Sequence, residues 1–181
     1  MEKIMLILSY VLSVVSLGLM ITASLLKGKR MKQILFLVFC ANFLLGTAYF
    51  LNGKGINGAA ACYLGAAQAI INYFFDSRDK SIPKWLIAIY ALSIIVLNIW
   101  VAGGITLLGI LVIVASLCYV LSINQKNGAQ YRICTLITML LWCIYDVLSG
   151  SYNALITHSP QLIFIIAGMF IHDRDKQKNG Q

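Results

Sequence analysis

Charge and proline are both scarce in this chain, and each shortage excludes something. Asp, Glu, Lys and Arg together make up 11% of the residues, where a soluble domain carries roughly 25%. Apolar residues make up 60%. A water-soluble fold of this length could not hide that much apolar surface, because burial is limited by surface-to-volume scaling. The bilayer must be the solvent. The only prolines are Pro83 and Pro160, so most apolar runs carry no helix breaker. Five cysteines are present, Cys40, Cys62, Cys118, Cys134 and Cys143. None forms a Cys-x-x-Cys pair and none stands at ligand spacing from a His, so they read as small buried hydrophobes and not as a disulfide framework or zinc site. There is no His-Glu-x-x-His, no phosphate-binding Gly loop, no Ser-His pair at catalytic spacing, and no Lys in the last apolar run to hold a retinal. No enzyme activity, cofactor or metal is expected.

What the chain does have is long apolar runs. A hydrocarbon core of about 30 Å needs roughly 20 apolar residues in a helix. Backbone groups find no water there, so each crossing must be helical or part of a closed barrel. Barrel strands would alternate, and these runs are continuous. They predict an all-α, polytopic membrane protein of seven transmembrane helices. The spans run from about Ile4 to Leu26, Gln33 to Leu51, Asn57 to Phe75, Trp85 to Val101, Ile105 to Leu121, Tyr131 to Leu148, and Asn153 to Ile171. A tail of residues 172–181 follows. Gly103-Gly104 divides a run too long for one crossing, and Trp85 and Trp100 suit the two aromatic belts. The first run has its stronger positive charge after it, which favours a retained anchor over a signal peptide.

The net charge of +8 lies in short clusters between the spans and lacks the soluble basic face that nucleic acid would need. Seven crossings place only Lys3 and Lys54 on the side that holds the N-terminus. Lys27, Lys29, Arg30, Lys32, Arg78, Lys80, Lys84, Lys126, Arg132, Arg174, Lys176 and Lys178 fall on the other side. By the positive-inside rule that second side is cytoplasmic, with the N-terminus outside and the C-terminus within.

The chain also resembles itself. At an offset of 96 residues Tyr49 falls on Tyr145, Asn57 on Asn153, Arg78 on Arg174, and Asp79-Lys80 on Asp175-Lys176. Residues 4–75 then form one three-helix repeat and 105–171 a second, joined by a linker helix at 85–101. The linker restores the direction that three crossings reverse, so the repeats are parallel. That layout resembles the SWEET-like three-plus-one-plus-three fold.

A closer resemblance lies in the motifs. Asn42-Phe43-Leu44-Leu45-Gly46-Thr47, Gly65-Ala66-Ala67-Gln68, and Leu141-Trp142-Cys143-Ile144-Tyr145-Asp146 with Gly150-Ser151 look like the YgjV family of bacterial inner-membrane proteins. In that family Arg commonly stands where this chain has Gln68, and a His-Asn pair where it has Tyr145-Asp146. The resemblance implies the bacterial cytoplasmic (inner) membrane and the fold, and names no solute.

Polar side chains at membrane depth are costly and so mark candidate sites. Asn42, Gln68, Trp142 and Gln161 stand near the middle of spans two, three, six and seven, and could ring a solute. The amides could equally bond neighbouring helices. Asp146 and His158 lie about one turn from the outer surface, where they could gate or couple a proton. The bland alternatives are a hydrated carboxylate in the headgroups and a helix-packing imidazole. Pro160 should kink span seven. The stripe Gly58, Ala61, Gly65, Ala69 reads as close packing or a cavity wall.

The expectation is a transporter or facilitator for a small polar solute, working by alternating access between two three-helix bundles. The alternative is a non-transporting partner subunit or lipid-contacting scaffold. Partners expected are the bilayer, an unknown solute and no nucleic acid, with self-association left open. In a background lacking the native cysteines, a cysteine replacing Lys54 should react with an impermeant thiol reagent outside intact cells. One replacing Ser81 should not. Equal labelling of both would contradict the seven-span topology.

Overall fold

The computed structural model describes residues 2–26, 31–125 and 128–178; the side chains of residues 2, 128 and 171–178 lie outside that description. Lys27, Lys29, Arg30 and Lys126 of the expected cytoplasmic clusters, and the side chains of the expected tail 172–181, therefore lie outside the described residues. Within them the chain forms seven α-helices and no strand: α1 Glu2–Leu25, α2 Met31–Asn52, α3 Ile56–Ser77, α4 Lys84–Ala102, α5 Leu107–Ile123, α6 Gly128–Ser149 and α7 Tyr152–Lys178. A 22-residue helix such as α2 spans about 33 Å at 1.5 Å per residue, enough to cross a bilayer.

Five helices, α1, α2, α4, α6 and α7, are both long and apolar enough to cross by themselves. The other two fall short for different reasons. α5 is strongly apolar but has 17 residues, because Thr106 caps it late by accepting from the Gly109 N–H at 3.0 Å,. α3 has the length, but Asn57, Gln68, Asn72 and Asp76 dilute it. It packs against α2, α4 and α5, so neighbouring helices cover much of what lipid would otherwise meet. α7 runs on as helix to Lys178, where the apolar run alone suggested a tail from 172; a helix need not stop where the hydrocarbon does. It also passes through Pro160 without a break in helix assignment.

The packing order closes a ring. α1 packs on α2, α2 on α3, α3 on α5, α5 on α6, α6 on α7, and α7 back on α1; α4 lies outside, against α3 and α5. Each pairing in the first half has its counterpart in the second. Adding 96 to Met31–Asn52 gives 127–148, against Gly128–Ser149 for α6, and adding it to Ile56 gives the first residue of α7. Two counterparts meet each other. The Tyr49 and Tyr145 rings lie 6.4 Å apart, edge to face, and Gly55 abuts Ser151. Two-fold arrangements allow a residue to touch its own counterpart only near the axis.

The outward faces carry Ile4, Phe50, Trp85, Trp100, Ile105 and Ile163, all more than half exposed. An apolar surface of that extent belongs in lipid. Inward, Leu45, Tyr49, Val112, Met139, Tyr145 and Ile165 form a shared core from α2, α5, α6 and α7. Small residues set the spacing. A Cβ on Gly168 would stand 2.9 Å from the Ser24 carbonyl oxygen, so α1 and α7 approach backbone to backbone. Arg132, counted among the cations of the cytoplasmic side, is buried in α6, its Cδ beside Gly168.

Gly168→Ala should lower the unfolding free energy by about 1–3 kcal/mol, the usual cost of overpacking a close contact. Gly18, which has open space where its Cβ would go, should tolerate Ala or gain up to about 1 kcal/mol from helix propensity. Thermal unfolding in detergent measures both. A Gly168→Ala variant as stable as Gly18→Ala would contradict the close α1–α7 approach.

Candidate functional site: a sealed polar centre

The centre of the ring is built from side chains that the helix faces bring inward at one level. Asn42 comes from α2, Cys62 and Gly65 from α3, Ser116 and Tyr119 from α5, Thr135 and Trp142 from α6, and His158 and Gln161 from α7; together they line a narrow cavity of about 30 Å³. A space of that size holds a water molecule or two, each needing roughly 10–15 Å³ of such volume, and no larger solute. Three of the four residues expected to converge, Asn42, Trp142 and Gln161, are in this lining. Gln68 is not. It is 1% exposed, and neither amide atom has a hydrogen-bond partner among the described residues.

Tyr119 supplies what the sequence reading missed. Its hydroxyl accepts from Asn42 Nδ2 at 3.0 Å and donates to the Gly65 carbonyl at 3.1 Å, tying α2, α5 and α3 together. A single Tyr in an apolar run carries no pattern that would mark it. Gly65 is small because Tyr119 lies against it: a Cβ there would meet the ring at 3.2 Å. The glycine and alanine stripe of α3 therefore serves both close packing and the cavity wall.

Toward the end formed by the α2–α3 and α6–α7 turns, the cavity is closed by a dense polar and aromatic cluster. Asp146 is fully buried, so the alternative of a hydrated carboxylate in the headgroup region does not hold. One of its oxygens accepts a short hydrogen bond from the Tyr49 hydroxyl, and the other meets His158 Nδ1 at 2.6 Å. An ionised carboxylate can only accept, so Nδ1 then carries the proton. His158 is 3% exposed and lines the cavity; it does not stand at an outer entrance. The Trp142 indole stacks on it at 5.6 Å and meets Tyr145 edge-on at 5.5 Å.

More bonds cross from one half of the ring to the other at this end. The Gly58 N–H donates to the Tyr145 hydroxyl at 3.1 Å, Asn52 Nδ2 to Asn153 Oδ1 at 2.8 Å, and Thr157 Oγ1 to the Ser13 carbonyl at 2.9 Å. Gly55 must be glycine twice over. Its φ is +69°, a region other residues avoid, and a Cβ would sit 2.5 Å from Ser151 Oγ.

The opposite, basic end is open. Lys32, Gln33, Asn72, Asp76, Lys80 and Asn124 help to line a cavity of about 770 Å³ between α2, α3, α4 and α5. Lys32 Nζ and Asp79 approach to 4.0 Å at its rim, a solvated pair of little energetic weight.

Seven helices with lipid-facing exteriors around a polar, half-closed centre define a polytopic helical membrane protein. Residues 7–176 match the family model of Imp-YgjV, described as a bacterial inner membrane protein, and the chain belongs to that family. No curated protein and no solved structure matches it.

The buried Asp146 trio is expected to behave as a coupled unit. Removing one partner of a buried hydrogen bond leaves the other unmatched and typically costs about 1–3 kcal/mol, more where a charged group is involved. His158→Leu should therefore be strongly destabilising. Asp146→Leu combined with His158→Leu should cost less than the sum of the two single changes, by at least about 1 kcal/mol. Strict additivity in unfolding experiments would contradict the contact.

Proposed function

We propose that the protein is a transporter or facilitator for a small polar solute, with its N-terminus outside and its C-terminus in the cytoplasm. The observation that carries this reading is the arrangement along one axis: a sealed end, a narrow polar cavity at mid-depth and a wide cavity at the basic end. Alternating access needs a site that can be closed from either side. A scaffold needs neither a buried polar cavity nor a seal.

In this reading Asn42, Trp142 and Gln161 hold the solute once the bundles part and widen a cavity that in the present conformation has room only for water. The amides offer donors and acceptors, and the indole offers a flat apolar wall. The matching helix bounds and the Tyr49–Tyr145 contact support two parallel three-helix bundles, α1–α3 and α5–α7, that rock about the cavity with α4 as linker. Asp146 and His158 are the gating pair, because the carboxylate bonds a tyrosine of one bundle and a histidine of the other. Breaking those two bonds frees that end to open.

A thermal-shift screen of vitamins, sugars, nucleosides and amines against the purified protein should yield a stabilising solute, since binding to the folded state raises apparent stability. That solute should enter proteoliposomes. Asn42→Leu combined with Gln161→Leu should remain folded, because interhelical amide bonds in membranes average about 0.6 kcal/mol, yet lose the shift. An unchanged shift in that variant would remove these residues from the site. Stabilisation without entry would favour the non-transporting alternative.

A further inference from the structure

The central and basic-end cavities share three of their lining helices, α2, α3 and α5. On α2 the lining passes from Asn42 and Val38 to Leu35 and Met31; on α5 it passes from Ser122 to Ile123 and Asn124. On α3 it passes from Gly65 to Asn72. Where the two linings adjoin stand Val38 of the central cavity and Leu35 and Ile123 of the basic-end cavity, all almost fully buried. These three side chains form a short apolar collar at that junction.

On α3, where the two linings lie two turns apart, one polar side chain falls between them. Gln68 sits three residues after Gly65 and four before Asn72, a spacing that places all three within one arc of the α3 surface. The axial distance from Gly65 to Asn72 is about 10 Å. Gln68 has both amide atoms unpartnered, and Asn72, also 1% exposed, has an unpartnered Nδ2 while its Oδ1 accepts from Tyr90 at 3.1 Å. A buried polar group without a partner is costly, and folded proteins seldom keep two such groups a turn apart.

We infer that Gln68 and Asn72 form an inner selectivity step, a route along α3 by which an uncharged, hydrogen-bonding solute passes between the central cavity and the basic-end cavity. This rests on the transport reading above and adds the route and the class of solute. The unmatched amide atoms supply both donors and an acceptor to a passing molecule. The apolar collar penalises a net charge, because moving an unpaired ion into such surroundings costs far more than moving a neutral polar group. Lys32, Lys80, Asp76 and Asp79 around the basic-end cavity offset one another, so the approach favours neither sign.

Cys62 tests the route because it lines the central cavity and is native. With Cys40, Cys118, Cys134 and Cys143 replaced by Ala, its modification by 2-hydroxyethyl methanethiosulfonate can be timed. Sealed vesicles of either orientation are used, with glutathione on the far side to scavenge reagent that leaks across. Reaction from the basic-end side is expected. Gln68→Leu and Asn72→Leu should each slow it about tenfold or more, and Leu35→Ala should speed it. Asn98→Leu is the control: Asn98 is also buried with an unpartnered Oδ1, but it lies on α4, off the route, and its replacement should change nothing. Thermal stability of the Gln68 and Asn72 variants should be equal to or above that of the parent, since an orphaned group is removed. Normal labelling in both Leu variants, or labelling from the opposite side alone, overturns the route and leaves transport standing. A Cys62 that reacts from neither side in the folded parent overturns transport as well.

Discussion

A carboxylate buried away from all solvent is the constraint around which this molecule is arranged. Asp146 is held between the Tyr49 hydroxyl and His158 Nδ1, and these groups arrive from α2, α6 and α7. An ionised carboxylate in such surroundings persists only if its lone pairs are met. Meeting them fixes three helix ends relative to one another. Around that point the aromatic rings of Trp142 and Tyr145, the close turn at Gly55 and the Asn52–Asn153 bond complete a layer that excludes water. Low local polarity strengthens each bond in the layer and raises the cost of leaving any of them unmade.

The rest of the ring is polar in a different manner. Around Asn42, Tyr119 and Gln161 the hydrogen bonds are few and neutral, and Gln161 Oε1 has no partner among the described residues. At the basic end Lys32 and Asp79 are exposed and weakly paired, whereas Arg132 is buried.

Much of this was legible in the sequence because the bilayer permits few solutions. Seven continuous apolar runs could only be helices, and their bounds fall within a few residues of those observed except at the end of α7. The offset of 96 is visible in Tyr49 and Tyr145 before any coordinates. Legibility failed where partners are distant in the chain. Asp146 looked close to the surface when counted along its own span, and only the arrival of Tyr49, 97 residues away, shows it to be enclosed. Tyr119 gave no signal, since a lone hydroxyl on an apolar helix is ordinary. Gln68 was read at the right depth yet proved to stand outside the cavity lining, because depth along a helix does not specify which neighbour a side chain meets. Arg132 was placed on the cytoplasmic side at the start of span six, and nothing in the charge pattern reveals its burial beside the small Gly168 of α7.

The central claim is that the Asp146 layer is a seal that opens, and not a fixed part of the core. Nitroxide labels at Lys54, on the exposed turn after α2, and at Tyr152, the exposed first residue of α7, report the separation of the two halves at that end. Pulsed dipolar spectroscopy in liposomes should find a short distance in the parent protein. In Asp146→Asn a second, longer population should appear at the expense of the first. A single narrow distance, the same in both proteins, would contradict the account.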